Sequence, residues 1–273
     1  LVRNHLVMSD VAQKRDLSDP KTIDDFVRVV QSPERLRLLL ILTVADIRAV
    51  GPGVFNGWKG QLLRELYYAA EERMLGGQTE IGRNARVAAA RQALGEALAD
   101  WPEAERERAQ VRHYAPYWLT FDAATHKKHA LFMREAEARG EELAIDASSD
   151  PFRAVTQVTL YTGDHPGLFS RLAGGFAVAG ASIVDAKAFT TADGMALDVF
   201  WVQDATGAPF ELDRLPRLRQ ALLRTLKGEI RPRELMDARK VKSREAAFTV
   251  EPLVILDNVA SDTCTVIEVN GRD

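Results

Sequence analysis

Cysteine is nearly absent from these 273 residues: Cys264 stands alone, so no internal disulfide can form and a reducing cytoplasm is the expected compartment. A basic surplus is missing as well. Lys and Arg number 36 against 39 Asp and Glu, a net charge of −3, which argues against a nucleic-acid partner. Long apolar runs are also lacking. The most apolar stretch, residues 36–50, is broken by Arg37, Asp46 and Arg48 and falls short of the ~20 residues a membrane span needs. The amino terminus has no basic, apolar and small-residue pattern in signal-peptide order. There is no glycine-rich phosphate loop, no Ser/His/Asp signature, no cysteine cluster and no His-Asp dipeptide. The chain begins at Leu1 rather than methionine and ends at Asp273 directly after a strand-like run, so a piece of a longer protein is expected.

What is present suits a soluble globular protein: 46% hydrophobic and 27% charged residues, with length for two domains. Up to about Asp150 the periodicity is helical. Ser32, Pro33 and Glu34 form a strong helix start, because the serine can cap, proline suits the first turn and the acid meets the positive end of the dipole. The following run is apolar nearly all round and is expected to be buried, with 51–53 ending it. A second helix from about Asn56 places Leu62, Leu66, Ala70 and Met74 at helical spacing. Thr79 is expected to cap a third, with Ile81, Ala85 and Ala88 on one side. Residues 103–112 predict a solvated helix, and Asp122 can cap another to about Arg139.

The period changes after Pro151. Val158 and Leu160 alternate with Gln157 and Thr159, which predicts a half-buried strand. Leu168, Leu172 and Phe176 mark a helix ending at Gly180. A β-branched stretch from Ser182 to Thr190, an Asp193-Gly194 turn and a strand from Met195 to Val202 follow. Leu215, Leu218, Leu222 and Leu226 mark another helix, closed by Gly228. Phe248, Val250, Val254 and Leu256 alternate again, with Pro252 placing that strand at an edge or bulge. The predicted order is β-α-β-β-α-β, a ferredoxin-like sandwich with one antiparallel four-stranded sheet over 155–258 and two helices on one face. Val158, Leu160 and Asp164 have counterparts in Ile267, Val269 and Asp273 at the same spacing, the signature of a repeat cut after its first strand.

Four places could carry chemistry. Asp46 lies on the stripe of Leu39 and Leu42 in a helix expected to be buried, where a carboxylate needs a metal, a cation or several donors. A salt bridge to an arginine such as Arg48 is the commoner explanation. His5 is a lone histidine near a helix start. His126 and His129 are one turn apart, but Lys127 and Lys128 stand between them and no carboxylate or cysteine completes a set, so a solvated face is expected. In the loop Gly163, Asp164, His165, Pro166, Gly167, free amides at a helix start can hold a carboxylate and Asp164 can meet an ammonium group. That suits a free α-amino acid, and a plain strand-to-helix turn fits equally.

Several stretches together resemble one family. LVRNHLVMSDVAQKRDLSDPKTIDDFVRVVQSPERLRLLLILTVADIRAVGPGVFNGWKGQLLRELY is similar to the latter half of the HD domain of the bifunctional uridylyltransferase/uridylyl-removing enzymes, and its GPGVFNGWKGQLLRELY portion is specific. YWLTFDAATHKKHA resembles their connector to the sensor domains. TQVTLYTGDHPGLFSRLAGGFAVAGASIVDAKAFTTADGMALDVFWVQD resembles their first ACT domain, and FTVEPLVILDN followed by TCTVIEVNGRD the passage into the second.

The resemblance implies an α+β chain. It consists of a partial, all-helical HD-type hydrolase domain with a connector (1–150), a ferredoxin-like βαββαβ ACT domain (151–258), and the first strand of a second ACT domain (259–273). It implies a cytoplasmic enzyme that attaches UMP to the PII signal protein and removes it in response to glutamine. Its partners are PII, the UMP-modified form of PII and glutamine, with no nucleic acid and no membrane, and ACT domains pair with one another. UMP removal uses a divalent metal, Mg or Mn. Asp46 matches the later aspartate of that metal set by motif, and His5 falls in its histidine-bearing segment. The upstream histidine and the His-Asp pair have no counterpart here, so the metal site is expected to be incomplete in this chain and the piece inactive in hydrolysis alone. Asp164, His165, Pro166 and Gly167 match the glutamine-facing loop, and Ser182 and Ile183 the opposing wall. Two alternatives stand beside this: a stand-alone amino-acid sensor with a helical scaffold, and an HD/ACT guanosine-polyphosphate synthetase/hydrolase. The segment Asn56-Gly57-Trp58-Lys59 argues against the second.

Overall fold

The computed structural model describes residues 4–17, 19–51, 55, 57–74, 80–232, 253–262 and 264–270. Two compact units divide the chain: Leu1–Thr79 with Lys240–Asp273, and Glu80–Arg239. No helix among the described residues is long and apolar enough to cross a membrane.

The first unit contains α1 (Val7–Lys14), α2 (Pro20–Val30), α3 (Pro33–Val50) and α4 (Gly57–Met74). Local chemistry sets the helix starts. Asp19 accepts from the Lys21 amide ahead of Pro20, and Ser32 accepts from the Arg35 amide ahead of Pro33. Met8, Phe26, Leu36, Leu39, Leu63, Leu66 and Ala70 form the core. The expectation that α3 is enclosed on all sides needs correction: Leu36, Leu39 and Thr43 are buried, but Leu38 is 46% and Ile41 66% exposed. The same unit holds an antiparallel hairpin, β5 (Leu253–Asp257) with β6 (Val266–Asn270).

The second unit starts with α5 (Glu80–Ala97), α6 (Glu103–Val111), α7 (Ala115–Thr120) and α8 (Ala123–Arg139). As expected, α6 buries nothing and Asp122 caps α8 through the Thr125 amide. The buried side of α5 differs from the expected one. Val87 and Leu94 are buried, whereas Ala85 and Ala88 are exposed. Thr79 lies outside the described residues.

Then come β1 (Leu143–Asp150), β2 (Val155–Gly163), α9 (Leu168–Ala179), β3 (Ser182–Thr190), β4 (Met195–Gln203) and α10 (Leu215–Leu226). They form one antiparallel sheet in the order β1-β2-β4-β3. Two predictions are corrected here. The fourth strand does not come from 248–256: residues 253–257 pair with β6, and 248–252 lie outside the described residues. Its place beside β2 is taken by β1 from the front, so the elements run β-β-α-β-β-α rather than β-α-β-β-α-β. The change of period near Pro151 therefore marks the turn between two strands of one sheet, not the edge of a compact unit. The sheet is also covered on both faces. Leu143, Val158, Leu160, Phe200 and Val202 pack against α9 and α10. Ala144, Tyr161 and Leu197 pack against Tyr117, Trp118 and Met133 of the helices before it. Thr159 is accordingly 2% exposed, where the alternation predicted a solvated side.

The two hairpins match in register. An offset of 109 residues relates Val158 to Ile267 and Leu160 to Val269. The same offset relates their cross-strand partners, Ala147 to Leu256 and Ile145 to Val254.

Candidate functional site

Asp46 sits half-buried near the carboxyl end of α3. One turn earlier, Thr43 donates its hydroxyl to the backbone carbonyl of His5 at 3.4 Å. Residues three apart share a helix face, so the fold brings the backbone of His5 to the face that carries Asp46. The salt bridge to Arg48 is not among the bonds of the described residues; that guanidinium lies over the Phe55 ring, 5.0 Å from its centroid. Among the described residues no group of three or more His, Cys, Asp or Glu side chains is placed to hold a metal ion.

The loop after β2 is exposed from Gly163 to Gly167. Gly167 has φ +82° at the start of α9, a left-handed conformation that glycine adopts without strain. Asp164 does not cap α9. Its amide donates to the Gly194 carbonyl at 3.1 Å, and its carboxylate accepts from the Thr190 hydroxyl at 2.6 Å. The loop is thereby fixed to the end of the sheet where β3 stops and β4 begins. His165 Nδ1 lies 3.1 Å from the Pro166 carbonyl, and the His165 carbonyl accepts from the Leu168 amide. Ser182 and Ile183 start β3, opposite Gln203 and Val202. Eight residues separate Ser182 from Thr190, about 26 Å of extended chain. Within one sheet, then, Asp164, His165, Pro166 and Gly167 lie together, and Ser182 and Ile183 lie at the far end.

The expected solvated face at His126 and His129 is overturned: both are 1% exposed. With His113, also buried, they surround Tyr117. His113 stacks on its ring at 3.7 Å, and its hydroxyl lies 3.2 Å from His129 Nδ1. Among the described residues, both nitrogens of His113 and the Nε2 of His129 have no hydrogen-bonding partner. Burial, aided by the charge of Arg112, pushes His113 down to about 3; burial, aided by His126 and Lys128, pushes His129 down to about 4. All three are neutral at pH 7 and serve as aromatic packing. The lysines that suggested exposure are themselves exposed, and Lys128 pairs with Asp146 of β1 at 2.7 Å.

Two features escaped the sequence reading. Arg112, 6% exposed, joins Glu137 of α8, the Tyr161 hydroxyl of β2 and Asp193 of the β3–β4 turn. Burial opposes ionisation of Asp193, but bonds from Thr191, Arg108 and Arg112 overcome it and hold the carboxyl well below its usual range. Asp198, in the middle of β4, is 3% exposed, and burial together with the charge of Asp164 pushes it up to about 6. Its signal in the sequence was a lone acid in an otherwise apolar strand, MALDVFWV.

No protein-family model matches this chain. Curated relatives do. It is 52% identical over 277 residues to the bifunctional uridylyltransferase/uridylyl-removing enzyme of Azospirillum brasilense. Identity is 50% over 276 residues to the enzyme of that name from Rhodospirillum rubrum, and 47% over 276 to that from Ruegeria pomeroyi. The chain spans about 30% of the length of these relatives, and the whole of it is covered in each case. Over its full length, therefore, this chain is similar to a segment of enzymes named bifunctional uridylyltransferase/uridylyl-removing enzyme.

Proposed function

We propose that this chain is part of an enzyme that attaches UMP to the PII signal protein and removes it. In this reading it carries a portion of the UMP-removing HD domain and a glutamine-sensing ACT domain. The observation that carries this is the similarity along the whole chain to enzymes bearing both names, at 47–52% identity in the three relatives above. Asp46 would supply one ligand to a divalent metal, Mg or Mn, and His5 another. A half-buried carboxylate with no salt bridge to its neighbour Arg48 suits that role, and the metal would activate a water for phosphodiester hydrolysis. Two ligands fall short of a firm site.

The sensor would be the sheet with α9 and α10. Glutamine's carboxylate would meet the amides at the start of α9, and Asp164 would order the loop or hold the ammonium group. Ser182 and Ile183 are too far away to close the pocket in the same copy, so the opposing wall would come from a second copy. The hairpin β5–β6 supports a second ACT domain opening within this chain, because it repeats the β1–β2 hairpin in register.

In the enzyme containing this segment, Asp46→Asn is expected to abolish UMP removal and spare UMP attachment, read by release of UMP from modified PII. Normal release would take Asp46 out of the site. Gly167→Val forces a branched side chain into φ +82°. It should shift the glutamine midpoint of PII modification to higher concentration while both reactions persist. Identical midpoints in a folded variant would remove this loop from the sensor.

A further inference from the structure

The turn between β3 and β4 is held from two sides. On one side stands Arg112, the residue that follows α6, which is 6% exposed. Its backbone carbonyl accepts from the Ala192 amide at 2.9 Å. Its guanidinium reaches Asp193 at 2.9 Å, Glu137 of α8 at 2.5 Å and the Tyr161 hydroxyl of β2. Arg108 of α6 adds a more exposed bond to Asp193 at 2.8 Å. On the other side stands the loop after β2. The Asp164 amide donates to the Gly194 carbonyl at 3.1 Å, and Thr190, where β3 ends, donates its hydroxyl to Asp164 at 2.6 Å. One short turn, 191–194, therefore touches both the loop that leads into α9 and the helical layer of α6 and α8.

The bond pattern decides how a displacement of that loop would travel. A guanidinium out of water cannot give up a carboxylate cheaply, because the charge left behind has no solvent to replace it. Its planar fork also fixes the direction of Glu137 and Asp193 as well as their distance. Thr191 stiffens the turn from within: its hydroxyl donates to Asp193 at 2.6 Å and accepts from the Met195 amide at 3.0 Å. A movement of the loop that keeps its bonds carries Gly194 and Thr190 with it. The stiff turn then passes the movement to Arg112 instead of absorbing it.

We propose that Arg112 is a relay residue, coupling amino-acid occupancy of the loop at Asp164 to the helical layer through the turn 191–194. This rests on the amino-acid-sensing reading given above and adds the path by which the loop's state leaves the sheet. Arg112 is a positioning residue: it acts on the loop only through the turn. Helices α5–α8 precede the sheet in the chain, so they are the segment that joins it covalently to α1–α4.

The test is hydrogen exchange on the enzyme containing this segment, with and without saturating L-glutamine. In wild type, glutamine should change exchange at the start of α9 and also, by about fivefold or more, in α7 and α8. In Asp193→Asn the turn should survive, because asparagine serves before a turn glycine as aspartate does, but the charge that engages Arg112 is gone. There the response at α9 should persist, and the response in α7 and α8 should fall to less than about a third of its wild-type size. Arg112→Lys keeps the charge but cannot bridge Glu137 and Asp193 with one planar fork, and should behave the same way. A residue that only stabilised the fold would speed exchange with and without glutamine alike and leave the glutamine-dependent difference intact. A response confined to α9 in wild type, or one that reaches α8 undiminished in folded Asp193→Asn, overturns the relay and leaves the sensor standing. No response at α9 in wild type removes the sensor reading and the relay with it.

Discussion

Two hairpins of this chain share register and pattern and meet opposite fates. In β1–β2, Val158 is 0% and Leu160 1% exposed. In β5–β6 the matching Ile267 and Val269 are 59% and 68% exposed, and Val254 and Leu256 across the strand are as open. Alternation of apolar side chains is thus enough to make a strand and choose its partner. It does not supply the cover. The first hairpin has α9 and α10 over one face and α7 and α8 over the other; among the described residues the second leaves the matching apolar face largely exposed. A buried side chain of this size contributes about 1.5–3 kcal/mol relative to an exposed one. The two hairpins therefore differ far more in stability than in sequence.

Introducing a charge at matched positions should break the symmetry most sharply. Leu160→Asp would place a carboxylate in the core beneath α9 and should leave the 80–239 unit unfolded, since the cost rivals the whole stability of a domain. Val269→Asp, its counterpart, should change stability by less than about 0.5 kcal/mol and improve solubility. Circular dichroism during urea unfolding would compare them. Equal losses in the two variants would mean the second hairpin is covered in solution.

Acid should act on the cover of the first hairpin next. An imidazole whose folded pKa lies below its unfolded 6.5 binds protons more readily when the chain is unfolded. Stability is then complete above pH 6.5 and drains away as pH falls, until the folded values of about 4 for His129 and about 3 for His113 are passed. At pH 5 each residue should have cost about 2 kcal/mol relative to pH 7.5. Asp198 works in the other direction. Its folded value of about 6 lies above the usual 3.8, so protonation between those values favours the folded state and offsets part of the loss. Urea midpoints from pH 7.5 to 4.5 test this. In His113→Phe with His129→Phe the decline below pH 6.5 should shrink markedly, leaving the part that burial of His126 contributes.

Capping and periodicity made much of the fold legible. Ser32 with Pro33, Asp122, Gly180 and the Asp193-Gly194 turn all lie where local chemistry put them. The strand at 143–150 was legible too, in the alternation of Leu143, Ile145 and Ala147, but the preceding charged helix and the Ser-Ser-Asp-Pro stretch read as a domain edge. The fourth-strand position was assigned to the wrong segment because either strand could satisfy it: both are short, apolar and alternating. Burial of His126 and His129 was hidden because Lys127 and Lys128 lie between them, and on a helix adjacent residues face different sides. For the candidate site, the loop at Asp164 and Gly167 could be located from residue type and turn chemistry. The role of Thr190 in fixing that loop could not, because it depends on the register that sets β3 beside β4.

The smallest effect concerns how the helical layer grips the first hairpin. Lys128 of α8 pairs with Asp146 of β1 at 2.7 Å, with side chains 46% and 35% exposed. Beside that pair, Ala144 of β1 is buried in one core with Ala130 and Met133 of α8. An exposed ion pair is weakened by water and by the entropy of holding two side chains still, and contributes ~0–1 kcal/mol. The buried contact scales with apolar area and is indifferent to salt. Lys128→Ala should therefore lower stability by less than about 1 kcal/mol, and the difference from wild type should shrink further in 0.5 M salt. Met133→Ala should cost about 2–5 kcal/mol at either salt concentration. If Lys128→Ala proved as damaging as Met133→Ala, the first hairpin would be held by charge rather than by cover. The contrast with β5–β6 would then need another cause.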